Sequence, residues 1–195
     1  MSEAAQDESQ ERTAAALRAR LGARSIVLVG MPGSGKSSIG RRLAPRLGLP
    51  FVDADTEIEK AAGMAISEIF AKHGEPYFRD GEARVIARLL DDGPAVIATG
   101  GGALMNANTR ALVRERAIAV WLKAEIPVLM RRVRRKTDRP LLKDKDPEAT
   151  LQQLLTEREP IYAEADIVVT SREGPHEVVV DAIMAELTQR LEARQ

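Results

Sequence analysis

The sequence predicts an α/β fold of three layers, a parallel sheet with helices on both faces. Three observations carry this. A strand, a glycine-rich loop and a helix follow one another from residue 26 in IVLVGMPGSGKSS. Short apolar runs then alternate with helical patterns towards the C-terminus, the mark of βαβ units. Runs such as VIAT and IAVWL do not alternate polar with apolar residues, as expected of strands covered on both faces.

Taken in order, residues 1–24 are polar and alanine-rich, with Ala16, Leu17 and Leu21 as their apolar thread. They read as a disordered or helical extension outside the core, leaving 25–195 as one domain. The first strand is Ile26–Gly30. The helix after the glycine loop has Ile39, Leu43 and Leu47 on one side and Arg41, Arg42 and Arg46 mostly off it. Phe51–Asp53 is the second strand, and Thr56 with Glu59 forms a T-x-x-E capping box for the next helix. Gly74 stops a helix, and Pro76 suits the first turn of another. On that second helix Arg79, Glu82, Ala83, Ile86 and Leu90 share a face, so a charged pair heads an apolar stripe. Ala95–Thr99 and Ile118–Leu122 are the third and fourth strands. The densely charged segment RRVRRKTDRPLLKDKD, 131–146, separates two helical patterns. Leu151, Leu154, Leu155 and Arg158 then share a helix face, and Asp166–Thr170 is the fifth strand.

Composition excludes several classes. Lys plus Arg and Asp plus Glu are 29 each, so no overall field draws the protein to nucleic acid or an anionic membrane. The basic segment lacks the interleaved aromatics of a single-strand binder, and the chain has only six aromatic residues. The absence of cysteine removes disulfides, thiolate metal sites and cysteine nucleophiles, and fits a reducing compartment. MSEAAQDESQ is no secretory signal, and no apolar run approaches the roughly 20 residues of a membrane span. A soluble, cytoplasmic domain is expected.

The chemistry begins at Gly30, Gly35, Lys36 and Ser37, which fill the spacing G-x-x-x-x-G-K-[ST] between a strand and a helix. Glycines let successive N–H groups converge on an anion, and the helix start adds its unpaired N–H groups. Lys36 reaches the β- and γ-phosphates of a nucleoside triphosphate, and the Ser37 hydroxyl suits Mg²⁺. The third strand ends in Thr99, Gly100, Gly101 and Gly102 without a carboxylate, so backbone faces the site there. Asp53 and Asp55 end the second strand, and their period-two spacing puts both on one side of an extended chain. Arg79 and Arg158, at the ends of apolar stripes, could snorkel. Beside a phosphate loop and a carboxylate pair, they point instead to an anionic acceptor.

The ordered set GMPGSGKSSIGRRLA, DADTEIE, ISEIFAKHGEPYFR with Glu82, TGGGA, RPLL and REPIY resembles the shikimate kinase family from about residue 25 to the C-terminus. The resemblance implies a P-loop fold with five parallel strands in the order 2-3-1-4-5. It also implies a substrate-binding region at about 55–90 and a mobile, arginine-rich lid at about 131–147. The implied reaction is transfer of the γ-phosphate of ATP to the 3-hydroxyl of shikimate, with Mg²⁺, in a monomer. By position, Gly33, Ser34, Gly35, Lys36, Ser37 and Ser38 would cradle the phosphates. Ser37 would bind the metal, with Asp53 in its shell through water. Asp55 would hold the acceptor hydroxyl and take its proton. Arg79 and Arg158 would grip the shikimate carboxylate, Gly101 would offer backbone, and Arg139 of the lid would close over the transferring phosphate. The adenine-side arginine is one of Arg131, Arg132, Arg134 and Arg135, with the adenine loop near 170–172.

Other small-molecule kinases, acting on gluconate or on a nucleoside monophosphate, are the alternatives, and the ordered TGGG, RPLL and REPIY set decides against them. A non-catalytic nucleotide-binding module would have lost Lys36, Asp55 or Arg139, and the chain has all three.

Overall fold

A computed structural model describes residues 3–134 and 146–193. Five strands, β1 (Ser25–Val29), β2 (Phe51–Asp53), β3 (Val96–Ala98), β4 (Ala117–Lys123) and β5 (Ile167–Thr170), form one sheet in the order β2-β3-β1-β4-β5. Every pairing is parallel. All five lie where the apolar runs put them.

Among the described residues, eight α-helices connect and cover the strands: α1 (Glu3–Leu21), α2 (Lys36–Leu47), α3 (Ala54–Ala62), α4 (Ile66–Asp91), α5 (Ala107–Arg116), α6 (Ile126–Arg134), α7 (Pro147–Tyr162) and α8 (His176–Glu192). Successive strand residues point to opposite faces, which divides the core. Ile26 and Leu28 of β1 pack with Leu43 of α2 and Ile183 of α8. Val27 and Val29 pack on the other side with Ile86 of α4 and Leu151 of α7. At the edge, β5 buries Ile167 and Val169 and leaves Val168 and Thr170 exposed, so only its inner neighbours have both faces covered.

Two expectations change. The N-terminal extension is helical and does not lie outside the core at its end: Leu17 and Leu21 are buried in the cluster formed with α2 and α8. Four-residue spacing puts the two leucines on one side of α1, which is enough to dock a helix whose other positions are polar. The helix after β2 starts earlier than the T-x-x-E box predicts. Asp53 caps α3, its Oδ1 accepting the Asp55 N–H at 3.2 Å. Glu59 instead accepts the Ile66 N–H at the start of α4. Asp55 therefore sits in a helical first turn, not on an extended strand.

Gly74 does interrupt a helix. Its φ of 79° and ψ of 174° are non-helical and divide α4 into two helical stretches, with Pro76 in the first turn of the second, as the sequence predicts. The lid is described only at its ends, and Arg135, Arg139 and the rest of 135–145 lie outside the described residues. No described helix is long and apolar enough to cross a membrane.

Leu21→Ala should lower the unfolding free energy by about 2–3 kcal/mol, the lower range for a buried leucine because a terminal helix can readjust. Urea titration checks this, and a loss below about 0.5 kcal/mol would put α1 outside the cooperative core.

Candidate active site

The carboxyl ends of β1, β2 and β3 open into one cavity of about 1020 Å³. The loop after β1 forms one end. Gly35, at φ 100°, turns the chain into α2 in a conformation that favours glycine. Lys36 is buried in the loop, its Nζ donating to the carbonyls of Gly30 at 2.8 Å and Met31 at 3.0 Å. Gly33, Gly35, Lys36, Ser37 and Ser38 all line the cavity. Ser34 does not. Its side chain is buried behind the loop, and its carbonyl accepts from Ser171 Oγ at 2.8 Å and Arg132 Nη1 at 3.3 Å. Ser34 can therefore contribute only backbone to a bound phosphate.

Ser37 Oγ donates to Asp53 Oδ2 at 2.6 Å, so Asp53 serves both the helix cap and the phosphate loop. These are two hard oxygen donors at the mouth of an anion-binding loop. Among the described residues, no three His, Cys, Asp or Glu could hold a metal between them. Such a set suits Mg²⁺, which keeps waters and takes phosphate oxygens, rather than a metal that needs a protein cage.

The other end is lined by Asp55, Phe70, Phe78, Arg79, Glu82, Gly100, Gly101, Gly102 and Arg158. Phe70 and Phe78 stack with ring centroids 4.7 Å apart, and Arg79 lies over Phe78. Arg79 is held by Glu82 at 2.8 Å and Glu75 at 3.0 Å. Burial would lower its affinity for a proton, but the two carboxylates outweigh burial and raise it, so it is a fixed cation. Glu82 is only 2% exposed, and burial pushes its carboxyl above the ordinary range despite Arg79.

Among the described residues, three buried atoms of charged groups have no hydrogen-bond partner, Glu82 Oε1, Arg158 Nη1 and Arg190 Nε, and the first two belong to residues that line the cavity. Arg158, 6% exposed on α7, is no snorkelling cation. Buried polar groups are ordinarily satisfied, so unpaired atoms of opposite charge beside a cavity mark where a polar ligand completes the structure.

The glycine run has a steric origin. A Cβ on Gly100 would lie 2.5 Å from Glu82 Oε1, one on Gly101 2.9 Å from Pro32 Cδ, and one on Gly102 2.6 Å from the Arg79 guanidinium. Any side chain there would displace the groups that form the site.

The cavity thus gathers every described site residue that the sequence singles out, with Ser34 behind its wall and Arg139 outside the described residues. Four further residues emerge. Of the three described candidates for the adenine-side arginine, Arg131, Arg132 and Arg134, it is Arg132 that reaches the phosphate loop, and it also donates to Ser171 Oγ at 2.9 Å and the Arg172 carbonyl at 2.6 Å. No sequence signal separates it from its neighbours. Glu82 was visible as a carboxylate in a stripe otherwise apolar. Ser171 and Tyr162, the latter in REPIY, carry no local signal of their contacts.

The shikimate kinase family model matches residues 32–188. A shikimate kinase of Bradyrhizobium diazoefficiens is 64% identical over 171 residues, covering 88% of this chain and 83% of the relative. One from Caulobacter vibrioides is 60% identical, covering 88% and 86%. The solved shikimate kinase of Acinetobacter baumannii in complex with shikimate superposes with a TM-score of 0.85 at 36% identity, over 89% of this chain and 98% of that one. A gluconokinase from Sinorhizobium meliloti, at 24% identity and a TM-score of 0.60, shares the fold alone.

The raised proton affinity of Glu82 fixes a pH dependence. As pH falls, the folded protein protonates this carboxyl before the unfolded chain does, whose ordinary value is 4.5. The group's stabilising contribution is therefore complete below that value and is lost as pH rises through the folded one. Glu82→Gln abolishes the titration. The melting temperature of the wild type minus that of Glu82→Gln, without ligands, should fall as pH is raised from 4.5 towards neutrality. A constant difference would contradict the assignment.

Proposed function

The chain belongs to the shikimate kinase family, and from that premise we propose how its residues move the γ-phosphate of ATP to the 3-hydroxyl of shikimate. The observation that carries the proposal is the joining, in one cavity, of a phosphate-cradling loop to a pocket with two held arginines and a carboxylate.

ATP is taken by the backbone of Gly33 to Ser38, with the helix start of α2 facing its phosphates. Lys36 supplies positive charge to the phosphates. Ser37, with Asp53 through water, holds Mg²⁺, which when bound neutralises charge on the phosphate oxygens. Arg139 covers the transferring phosphate from the lid, a role supported by its place in RPLL. Shikimate enters with its carboxylate towards Arg79 and Arg158. The arginine fork matches a carboxylate, and the unpaired Nη1 of Arg158 supports that partner. Phe70 and Phe78 form an apolar wall for the ring.

Asp55 accepts the proton of the 3-hydroxyl as that oxygen attacks phosphorus. The oxygen–phosphorus bond to ADP breaks, and ADP leaves with the bonding pair. Little covalent chemistry falls to the protein, so rate comes from alignment and from charge placed against the equatorial oxygens. We further propose a cytoplasmic monomer: the absence of cysteine supports a reducing compartment, and the monomer rests on the family resemblance.

A coupled ADP-release assay tests the acceptor. Turnover is expected with shikimate and not with gluconate or AMP, and turnover with either of those instead would overturn the reading. Arg158→Ala should raise the KM for shikimate roughly tenfold or more, with a smaller effect on kcat, because carboxylate binding is largely uniform between ground and transition states. Unchanged shikimate kinetics would remove Arg158 from the site. Asp55→Asn should cut kcat roughly a hundredfold if Asp55 is the base, whereas near-normal turnover would leave it only a positioning role.

A further inference from the structure

Tyr162 is the last residue of α7, 1% exposed, and does not line the cavity. Its ring stacks on Trp121 of β4 with centroids 5.8 Å apart. Its hydroxyl donates to the carbonyl of Gly101. Burial pushes the phenol's proton affinity up, only partly opposed by the charge of Arg158, so the hydroxyl keeps the proton it donates.

This bond completes a pattern in the glycine loop. The carbonyl of Gly100 accepts from the Ala103 N–H and that of Gly102 from the Met105 N–H. With Tyr162 on Gly101, all three carbonyls are occupied inside the protein. None of the three glycine N–H groups donates to an acceptor among the described residues. No peptide bond described is cis, and in a trans peptide the C=O and the following N–H point in opposite directions. A Gly101 carbonyl held towards buried Tyr162 therefore turns the Gly102 N–H the other way, to the side on which Gly101 and Gly102 line the cavity.

Tyr162 also lies one helical turn beyond Arg158, on the same face of α7. One face of one helix thus presents a cation to the pocket and fixes the peptide beside it. A Cβ on Gly101 would lie 3.2 Å from Arg158 Nη1, so the guanidinium sits where a side chain on the loop would go.

We infer that Tyr162 is a positioning residue for the acceptor: its hydroxyl holds the Gly101 carbonyl away from the cavity and so presents the Gly102 N–H to shikimate. The inference rests on the proposed acceptor, and the wild-type assay decides that acceptor separately.

The test is Tyr162→Phe in the full chain, which keeps the ring and its packing on Trp121 and removes the hydroxyl, with its bond to Gly101 and its contact with Arg158. The KM for shikimate should rise roughly three- to tenfold, the scale of one hydrogen bond, with the KM for ATP nearly unchanged and the melting temperature lowered by no more than the few degrees that one buried hydrogen bond supplies. Trp121→Phe keeps the hydroxyl and thins the packing behind it, and should raise the shikimate KM less than Tyr162→Phe does. An unchanged shikimate KM in Tyr162→Phe overturns the inference. So does a joint rise in both KM values with a larger fall in melting temperature, or loss of folding, since the hydroxyl would then be serving the scaffold. An equal effect from Trp121→Phe would assign the role to packing and overturn it as well. Wild-type protein inert towards shikimate would instead remove the functional reading on which this rests.

Discussion

The parallel pairing of β1 with β3 is the constraint on which the rest depends. Leu28 lies opposite Ala98, and Thr99 fastens the end of β3 by donating both its N–H and its hydroxyl to the Leu28 carbonyl. Two loops must therefore leave the sheet side by side at its carboxyl edge, where open parallel sheets bind ligands. One turns into α2 and offers N–H groups to phosphate. The other runs through three glycines and offers N–H groups to the acceptor. In the proposed mechanism, donor and acceptor meet because two strands do.

The acceptor end accepts a cost to achieve this. Leaving a buried polar group unpaired costs on the order of 1–3 kcal/mol, and Glu82 Oε1 and Arg158 Nη1 both stand unpaired. Water in place of either charge would be cheaper for the empty protein. The arrangement makes sense when the missing partner is a ligand, because groups already desolvated and oriented need not reorganise when charge develops. The glycines are part of the same trade. They allow Glu82, Arg158 and Arg79 to approach a backbone that any side chain would keep away.

Much of this was legible in the sequence. Strands covered on both faces lack alternation, and the glycine loop with Lys36 and Ser37 requires one local geometry, so both are readable from neighbours in the chain. Glu82 and Arg158 were visible as charges in apolar stripes, but burial alone decides whether such a charge snorkels or enters the core. The start of α3 was misread because Thr56 and Glu59 satisfy the capping pattern as well as Asp53 does. What favours Asp53 is its second bond, to Ser37, sixteen residues away. Leu17 and Leu21 were too sparse a stripe to announce a docked helix. Their partners lie on α2 and α8, and no local rule reports that. Tyr162 and Ser171 act through the carbonyls of Gly101 and Ser34, and a carbonyl has no sequence signature.

The gluconokinase likeness sharpens what decides the acceptor. A gluconokinase at 24% identity shares the fold, so in the proposed mechanism the choice of acceptor is assigned to side chains and not to the sheet. Selection has to lie on elements that the sheet does not dictate. Here these are α4, which carries Phe70, Phe78, Arg79 and Glu82, and α7, which carries Arg158 and Tyr162. Arg79 is clamped between two carboxylates and laid over a ring, and Arg158 is buried beside a tyrosine that holds the intervening glycine loop. In the proposed mechanism these two cations set where the carboxylate lies, and an acceptor is phosphorylated only if its hydroxyl then falls at Asp55. On this fold the sheet supplies the donor's geometry, and the spacing between two helices supplies the choice of acceptor.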